Sequence, residues 1–434
     1  MDIGTITLLM GGAIALLMML GVPLVFVTGS VAVITLLLTI GPNALPLIAS
    51  RIYSTVDNYA LISVPMFVLM AAILERAGVA RDLYNAMHLL AGRLPGGVAL
   101  QTMVAAVVMA AMTGIVGGEI MLLGLVALPQ MLRLDYDRKL AIGTICAGGS
   151  LGTMLPPSLV LIIFGLTASV SIGDLFLAAI GPGLLLAALY MGYIFIRCWL
   201  NPAMGPPAPV DPTQTFADKA AAMRGLILPV GVAALVLGSI YGGVASVSEA
   251  AAVGVAGAAV CAAARRALTI ELLRDVLQQT MRICGTILWL TFGASALIGV
   301  YGLIGGTRFV GDLMAGLPLE PIQIIMVMML IIFVLGLVMD WIGICLLTMP
   351  IFVPIVNELG FDPVWFGVLF CLNVQIAYLS PPFGPAAFFL KSVAPPDVSL
   401  QEIFAAMLPF IALQAVALAV LLFWPPLALW PLGG

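Results

Sequence analysis

The sequence predicts an all-α polytopic membrane protein in which one order of elements occurs twice. Its 434 residues are 63% apolar and only 8% charged, with a mean hydropathy of +1.23, whereas a soluble domain needs roughly a quarter of its residues charged to clothe its surface. At about 20 residues per crossing, the apolar stretches leave room for about 10–12 spans plus two helical hairpins. Glycine clusters and proline pairs interrupt those stretches at matching places in the two halves, which sets the hairpins and breaks apart from plain spanning helices.

The same numbers exclude whole classes of function. Sixteen basic and 20 acidic residues give a formal charge of -4, with no polybasic arm for nucleic acid or anionic lipid. The single histidine, His88, and the lysines Lys139, Lys219 and Lys391, none preceded by glycine, exclude a Walker A loop, an H-E-x-x-H zinc site and a histidine triad. Six cysteines stand singly in apolar segments with no C-x-x-C pair and read as buried thiols. His88, in a charged amphipathic piece, reads as interfacial.

From the amino end, residues 1–59 read as N-terminal scaffold helices: two apolar runs over about 4–21 and 23–41, then a half-polar stretch with Arg51 and Asp57 at the interface. Met1-Asp2-Ile3-Gly4 lacks the positive start of a cleavable signal, so the first run is expected to be a span of the mature chain. Residues 60–200 form the first repeat. A span ending at Glu75-Arg76 precedes a short amphipathic piece and the breaker Pro95-Gly96-Gly97. From Ala99 to Leu132 the chain is apolar except around Thr113-Gly114-Ile115-Val116-Gly117-Gly118-Glu119. As one helix this stretch would be about 50 Å long against a hydrocarbon core of about 30 Å, so a hairpin over about 99–132, turning at the glycines, is expected. Residues 138–170 read as a broken helix, because Pro156-Pro157 removes two backbone donors in the middle of an apolar run. Such unwinding is tolerated only beside protein or a wet cavity.

A Pro-rich linker over 201–223 separates the halves, scaffold helices follow over 224–281, and the second repeat occupies 282–434, with a hairpin at about 321–356 and a broken helix at about 363–393. The duplication rests on four correspondences in order: Ala127-Leu128-Pro129 with Thr348-Met349-Pro350, Tyr136-Asp137 with Phe361-Asp362, Leu155-Pro156-Pro157-Ser158 with Ser380-Pro381-Pro382-Phe383, and Val170-Ser171 with Val398-Ser399. The first register sets Glu119 opposite Asp340. An odd number of crossings per repeat would make the repeats inverted.

Acids at hydrophobic depth cost about 2.5–3.5 kcal/mol each on insertion scales and are expected to face a cavity, an ion or a partner. Broken helices at matching places in two repeats point to a substrate and ion site at their interface, where unwound carbonyls hold cations and half-helix N-termini meet anions. The plainer alternative is that the acids cap helices and the prolines are kinks. For Glu249 the plainer reading is preferred, since Ser246-Val247-Ser248-Glu249 satisfies the S-x-x-E capping box.

The residues then match a family. Ser63-Val64-Pro65-Met66-Phe67 with Glu75-Arg76-Ala77-Gly78-Val79-Ala80, Pro95-Gly96-Gly97, Ser248-Glu249-Ala250-Ala251-Ala252-Val253-Gly254, Asp362-Pro363-Val364 and Ser380-Pro381-Pro382-Phe383-Gly384 together resemble the large membrane (permease) subunit of the tripartite ATP-independent periplasmic (TRAP) transporters of bacteria and archaea. The resemblance implies an elevator-type transporter, not an enzyme: a symporter driven by sodium ions that imports a small organic acid (carboxylate) across the inner or cell membrane. A periplasmic substrate-binding protein would deliver the acid and a small four-helix membrane subunit would brace the chain. It further implies sodium between each hairpin tip and the neighbouring break. The first site would use Thr113, Gly114, Gly117 and Gly118 with Gly152, Thr153, Pro156 and Pro157; the second would use Gly336, Asp340 and Gly343 with Ser380, Pro381, Pro382 and Gly384. Glu119, Thr153, Ser158 and Asn373 are the candidates for substrate contact or coupling. The tip departs from the family's serine-rich S-G-S-S pattern, and Ser246-Val247-Ser248-Glu249 stands where T-P-T-E is usual. Two rivals are a stand-alone sodium- or proton-coupled carboxylate symporter and, remotely, an intramembrane enzyme pairing Glu119 with Asp340, which lacks a G-x-G-D-like pattern.

Overall fold

A computed structural model describes residues 2–88, 94–114, 117–207, 216–316 and 318–433, without side chains at 80, 85, 88, 216–225 and 315. The hairpin-tip residues 115–116, linker residues 208–215 and the side chain of His88 therefore lie outside the description. Among the described residues the regular structure is all helical. The helices are α1 Ile3–Met19, α2 Leu24–Thr39, α3 Leu45–Val56, α4 Ser63–Arg76, α5 Val79–His88, α6 Gly97–Thr113, α7 Gly118–Arg133, α8 Arg138–Ser150, α9 Leu159–Ala168, α10 Ile172–Leu200, α11 Phe216–Tyr241 and α12 Val247–Ala264. They continue with α13 Ile270–Leu303, α14 Gly306–Ala315, α15 Pro321–Gly336, α16 Trp341–Glu358, α17 Pro363–Leu379, α18 Pro385–Lys391, α19 Leu400–Phe423 and α20 Pro426–Leu429.

Side-chain caps set the helix starts. Asp137 accepts from the Leu140 amide and Asp362 from the Val364 amide at the starts of α8 and α17. Ser171 and Ser399 accept from Asp174 and Glu402 at the starts of α10 and α19. Each cap satisfies one of the amides that a helix start leaves unpaired. The capping box at α12 has both of its hydrogen bonds, Glu249 amide to Ser246 hydroxyl and Ser246 amide to Glu249 carboxylate. That placement leaves Glu249 as a helix-starting residue.

The order α4 to α10 recurs as α13 to α19. In each half an amphipathic 10-residue helix, α5 or α14, is followed by a hairpin (α6–α7 or α15–α16), a broken helix (α8–α9 or α17–α18) and a long closing helix. The peptide bonds Pro156-Pro157 and Pro381-Pro382 are both cis. The boundaries differ from expectation at two points. Helix α13 runs unbroken through residue 282, so the second unit starts earlier in the chain, and α11 begins at Phe216, inside the expected linker. Composition marks where a linker is polar, whereas helix length follows packing against α2 and α4.

Among the described residues, six helical stretches reach 18 residues with enough apolar character to cross a bilayer, and seven shorter apolar stretches of 10–17 residues accompany them. The expected 10–12 crossings are therefore divided differently: α6, α7, α9, α15 and α18 are each shorter than a span, while the hairpin arm α16 reaches 18 residues. The outer surface carries bare apolar side chains such as Leu8 (78% exposed) and Met19 (85% exposed), as lipid contact requires.

Helices α8 and α17 lie at the centre, and nearly every residue of both is buried. A helix buried all round is a core element. Their arrangement is crosswise. Each hairpin packs on the broken helix of its own repeat, yet the half-helix past each break packs on the other repeat's hairpin, α9 on α16 and α18 on α7. Gln375 Nε2 donates to Ser150 Oγ at 3.0 Å, and these two residues are 225 positions apart. That is the register aligning the two proline pairs, so a residue meets its own counterpart and the pair marks a local two-fold axis. Trp365 Nε1 donates to the Leu421 carbonyl at 2.9 Å and ties α17 to α19.

The contact between α8 and α19 leaves no space at Gly143, where a Cβ would stand 2.5 Å from the Ala406 carbonyl oxygen and the Phe410 ring. Gly143→Leu should destabilise the protein by about 1–3 kcal/mol, visible as a lower melting temperature. Gly192→Leu, at a position with nothing within 4 Å, is the control expected to melt like the parent.

Candidate functional site

The first hairpin closes against the first break through backbone contact. Gly114 ends α6 at φ 58, a left-handed conformation that costs glycine least. A Cβ there would stand 1.8 Å from the Pro157 carbonyl oxygen, so both the φ and the approach need glycine. The Leu159 amide, freed by the break, donates to the Gly114 carbonyl at 3.4 Å. Gly117 precedes α7 at φ 106 with the Phe389 ring of α18 against it.

Glu119 sits two residues into α7 and is 3% exposed. The Thr113 hydroxyl donates to its Oε1, while Oε2 is without a partner among the described residues. The carboxylate lies over Gly152, where a Cβ would be 3.1 and 3.2 Å from its two oxygens. Tip and break therefore meet at this acid. Glu75 of α4 also reaches the tip, its Oε1 standing 3.0 Å from where a Cβ of Gly118 would be. Sequence reasoning missed Glu75 as a site residue. The available signal was an acid at the end of an otherwise apolar span, and it was read only as part of a motif.

Hydroxyls at the two breaks bond to the backbone around them. Ser158 donates to the Thr153 carbonyl and accepts from the Leu161 amide. Thr153 Oγ1 donates to the Ser150 carbonyl at 2.9 Å, and the Thr153 carbonyl also accepts from Cys371 Sγ at 2.9 Å. Asn373 Nδ2 donates to the Met329 carbonyl at 2.6 Å, joining α17 to α15. Thr153 and Ser158 thus each donate to a backbone carbonyl at the first break, where unwound chain in an apolar interior must find partners for its carbonyls and amides, while Asn373 bridges two helices. Ser380 does the same at the second break, donating to the Ile376 carbonyl at 2.8 Å.

At the second tip Asp340 is half-buried and caps α16, accepting from the Ile342 amide at 3.2 Å. It also lines a cavity of about 10 Å³ together with Gly336, Tyr378, Phe383 and Pro385. That volume is on the order of one water-sized sphere. Gly336, at the end of α15, approaches Ala377 of α17 closely, and Gly384 lies under the Phe404 ring. The bare Cα of Gly343 faces Leu24 of α2, where a Cβ would be 2.3 Å away, and Gly343 is not among the residues lining this cavity. Its close approach to Leu24 makes it a packing position between α16 and α2. Pro156, Pro157, Pro381 and Pro382 form the breaks themselves. The counterparts Glu119 and Asp340 are not equivalent in place: one is buried inside the first turn, the other is a cap.

Two hairpin tips set against two helix breaks, inside a helical membrane protein with an acid at each tip, define a polytopic membrane transport protein. Comparison with known proteins gives the family. Residues 12–427 match the family described as Tripartite ATP-independent periplasmic transporter, DctM component, and the chain belongs to it. The C4-dicarboxylate TRAP transporter large permease protein DctM of Pseudomonas aeruginosa is 29% identical over 394 residues, covering 91% of this chain and 91% of that one. The ectoine/5-hydroxyectoine TRAP transporter large permease protein UehC of Ruegeria pomeroyi is 29% identical over 416 residues, covering 95% and 96%. The fold resembles the crystal structure of the Alcanivorax borkumensis YdaH transporter, described as having an unusual topology, with a TM-score of 0.64, 18% identity and 91% of each chain covered.

Replacing Gly114 by valine should push the tip off the break, since the Cβ meets backbone rather than a flexible side chain. The expected outcome is a protein that inserts but whose tip becomes open to protease or to amide hydrogen exchange; unchanged exchange over residues 110–120 would contradict the contact.

Proposed function

We propose that this chain is the permease subunit of a sodium-coupled importer of small carboxylates in a bacterial or archaeal inner membrane, with the transported acid handed over by a periplasmic binding protein. The observation that carries this reading is the water-sized cavity between the second hairpin tip and the second break, with Asp340 on its wall. A carboxylate oxygen beside unwound backbone is the kind of ligand set that hard cations take. The first tip supports a second ion between Glu119, Thr113 and the first break, where Glu119 Oε2 is without a partner among the described residues. The substrate class follows the similar permeases named for C4-dicarboxylate and for ectoine. The description of the family as tripartite supports two partners, the binding protein and a small membrane subunit. Movement as an elevator suits the crosswise packing, because α7, α9, α16 and α18 hold both tips and both breaks in one block. The paired elements suit inverted repeats.

A bound ion stabilises a fold by RT ln(1 + [L]/Kd), about 2.7 kcal/mol at a hundredfold excess over Kd. The purified chain should therefore melt higher in sodium chloride than in potassium chloride at equal ionic strength. Asparagine caps a helix about as well as aspartate, so Asp340→Asn keeps the α16 cap and removes only the charge. That variant should lose much of the sodium-specific rise; a full rise would sink the assignment of Asp340 to an ion.

Glu119→Gln preserves shape and the ability to accept from Thr113. At a fixed sodium concentration well above Kd, the sodium-specific stabilisation should fall by roughly 1.4 kcal/mol in this variant, the equivalent of a tenfold rise in Kd, whereas an unchanged stabilisation would leave Glu119 a packing residue.

A further inference from the structure

A cavity of about 330 Å³ lies away from both tips, between α3 and α13 on one side and the α9–α16 pair on the other. Its lining is rich in hydroxyls and amides, among them Thr55, Asn58, Thr167, Thr291 and Ser295, and it holds one guanidinium, that of Arg51. The stem of Arg51 lies flat on α13 at Gly299, where a Cβ would stand 3.1 Å from its Cγ. Arg76, Arg138 and Arg265 are each within ion-pair distance of a carboxylate, but among the described residues no acid pairs with Arg51. Thr55 and Ser295 hydroxyls meet at 3.1 Å across the cavity wall and join α3 to α13. A second cavity of about 620 Å³ shares Asn58, Leu166 and Ser169 with the first and continues past Ser171 and Ser246 to the helix ends.

We propose that Arg51 and the hydroxyls around it form a vestibule that binds the carboxylate group of the transported anion at the seam between α3–α13 and the α9–α16 pair. An exposed guanidinium on a polar cavity wall, with no acid partner among the described residues, matches a carboxylate by charge and by two parallel N–H donors. The volume suits a small organic acid with a few waters. The larger cavity supplies the way in from the helix ends. Two walls belong to elements that also build the ion sites: α9 begins at the first break, and α16 begins at Asp340. An anion held here touches α3 and α13 as well as both ion-site elements. The inference rests on the reading of the chain as a carboxylate permease, and it makes Arg51 a specificity-determining residue.

The test uses reagent charge in place of the unidentified substrate. Thr167→Cys is introduced into the full chain with the half-buried Cys284 changed to serine, the other five cysteines being buried. Labelling rates are measured in detergent with anionic sulfonatoethyl methanethiosulfonate and with cationic trimethylammonioethyl methanethiosulfonate, each relative to its rate with a free thiol. The anionic reagent should be favoured, Arg51→Gln should lower that preference about tenfold, as removal of one nearby charge predicts, and Arg51→Lys should keep most of it. Ser295→Cys serves if the first variant does not purify as a single species. A preference unaffected by Arg51→Gln, or a cysteine that neither reagent reaches, overturns the vestibule. Because labelling needs neither sodium nor transport, such a failure leaves the permease reading standing; anion preference in a chain that shows no sodium-specific stabilisation would fault the coupling reading alone.

Discussion

Everything at the centre of this protein follows from the cost of unwinding backbone where water is scarce. Each Pro-Pro pair ends a helix in the middle of an apolar run, and each ending frees carbonyls and amides that lipid cannot satisfy. The chain meets this demand locally, with Ser158 and Thr153 bonding within the first break and Ser380 within the second. It meets it again at longer range, with the Gly114 carbonyl accepting the Leu159 amide and Thr153 accepting from Cys371 of the other repeat. The burial of α8 and α17, the short hairpin arms and the glycine at position 114 are all conditions for holding those two breaks inside.

Among the polar groups that remain are the acids of the two tips. Thr113 and Glu119 engage each other on one side, while Asp340 divides its carboxylate between a helix amide and a small cavity on the other. The repeats are thus similar in architecture and unequal in chemistry. Asp340 combines the plain role of a helix cap with a position on a cavity wall, so capping and ion binding are compatible at one residue. For Glu119 no capping bond is present among the described contacts.

Much of the architecture was legible in the sequence because it is written in residues that act on their neighbours. Proline pairs, glycine clusters and Ser or Asp caps mark breaks, turns and helix starts within a few positions of themselves, and the 225-residue register that aligned the prolines also aligned Ser150 with Gln375. The commitments of Thr153, Ser158 and Asn373, the turning of Gly343 towards Leu24 and the arrival of Glu75 at the first tip were not legible. Each depends on a partner remote in sequence or on which face of a helix meets another, and hydropathy along one strand of text carries neither. The extent of α13 was misjudged for the same reason, since its length answers to α2 and α4.

The crosswise exchange, α9 on α16 and α18 on α7, has a consequence for how such a chain could arise. Neither half completes its own surroundings: the half-helix after each break is covered by the hairpin of the other half. A single half could therefore close its break only against a second molecule of itself, trading half-helices as domain-swapped dimers trade arms. Joining two such halves in one chain removes the need to find a partner, and it frees the two tips to diverge, which is how one comes to hold a buried glutamate and the other a capping aspartate.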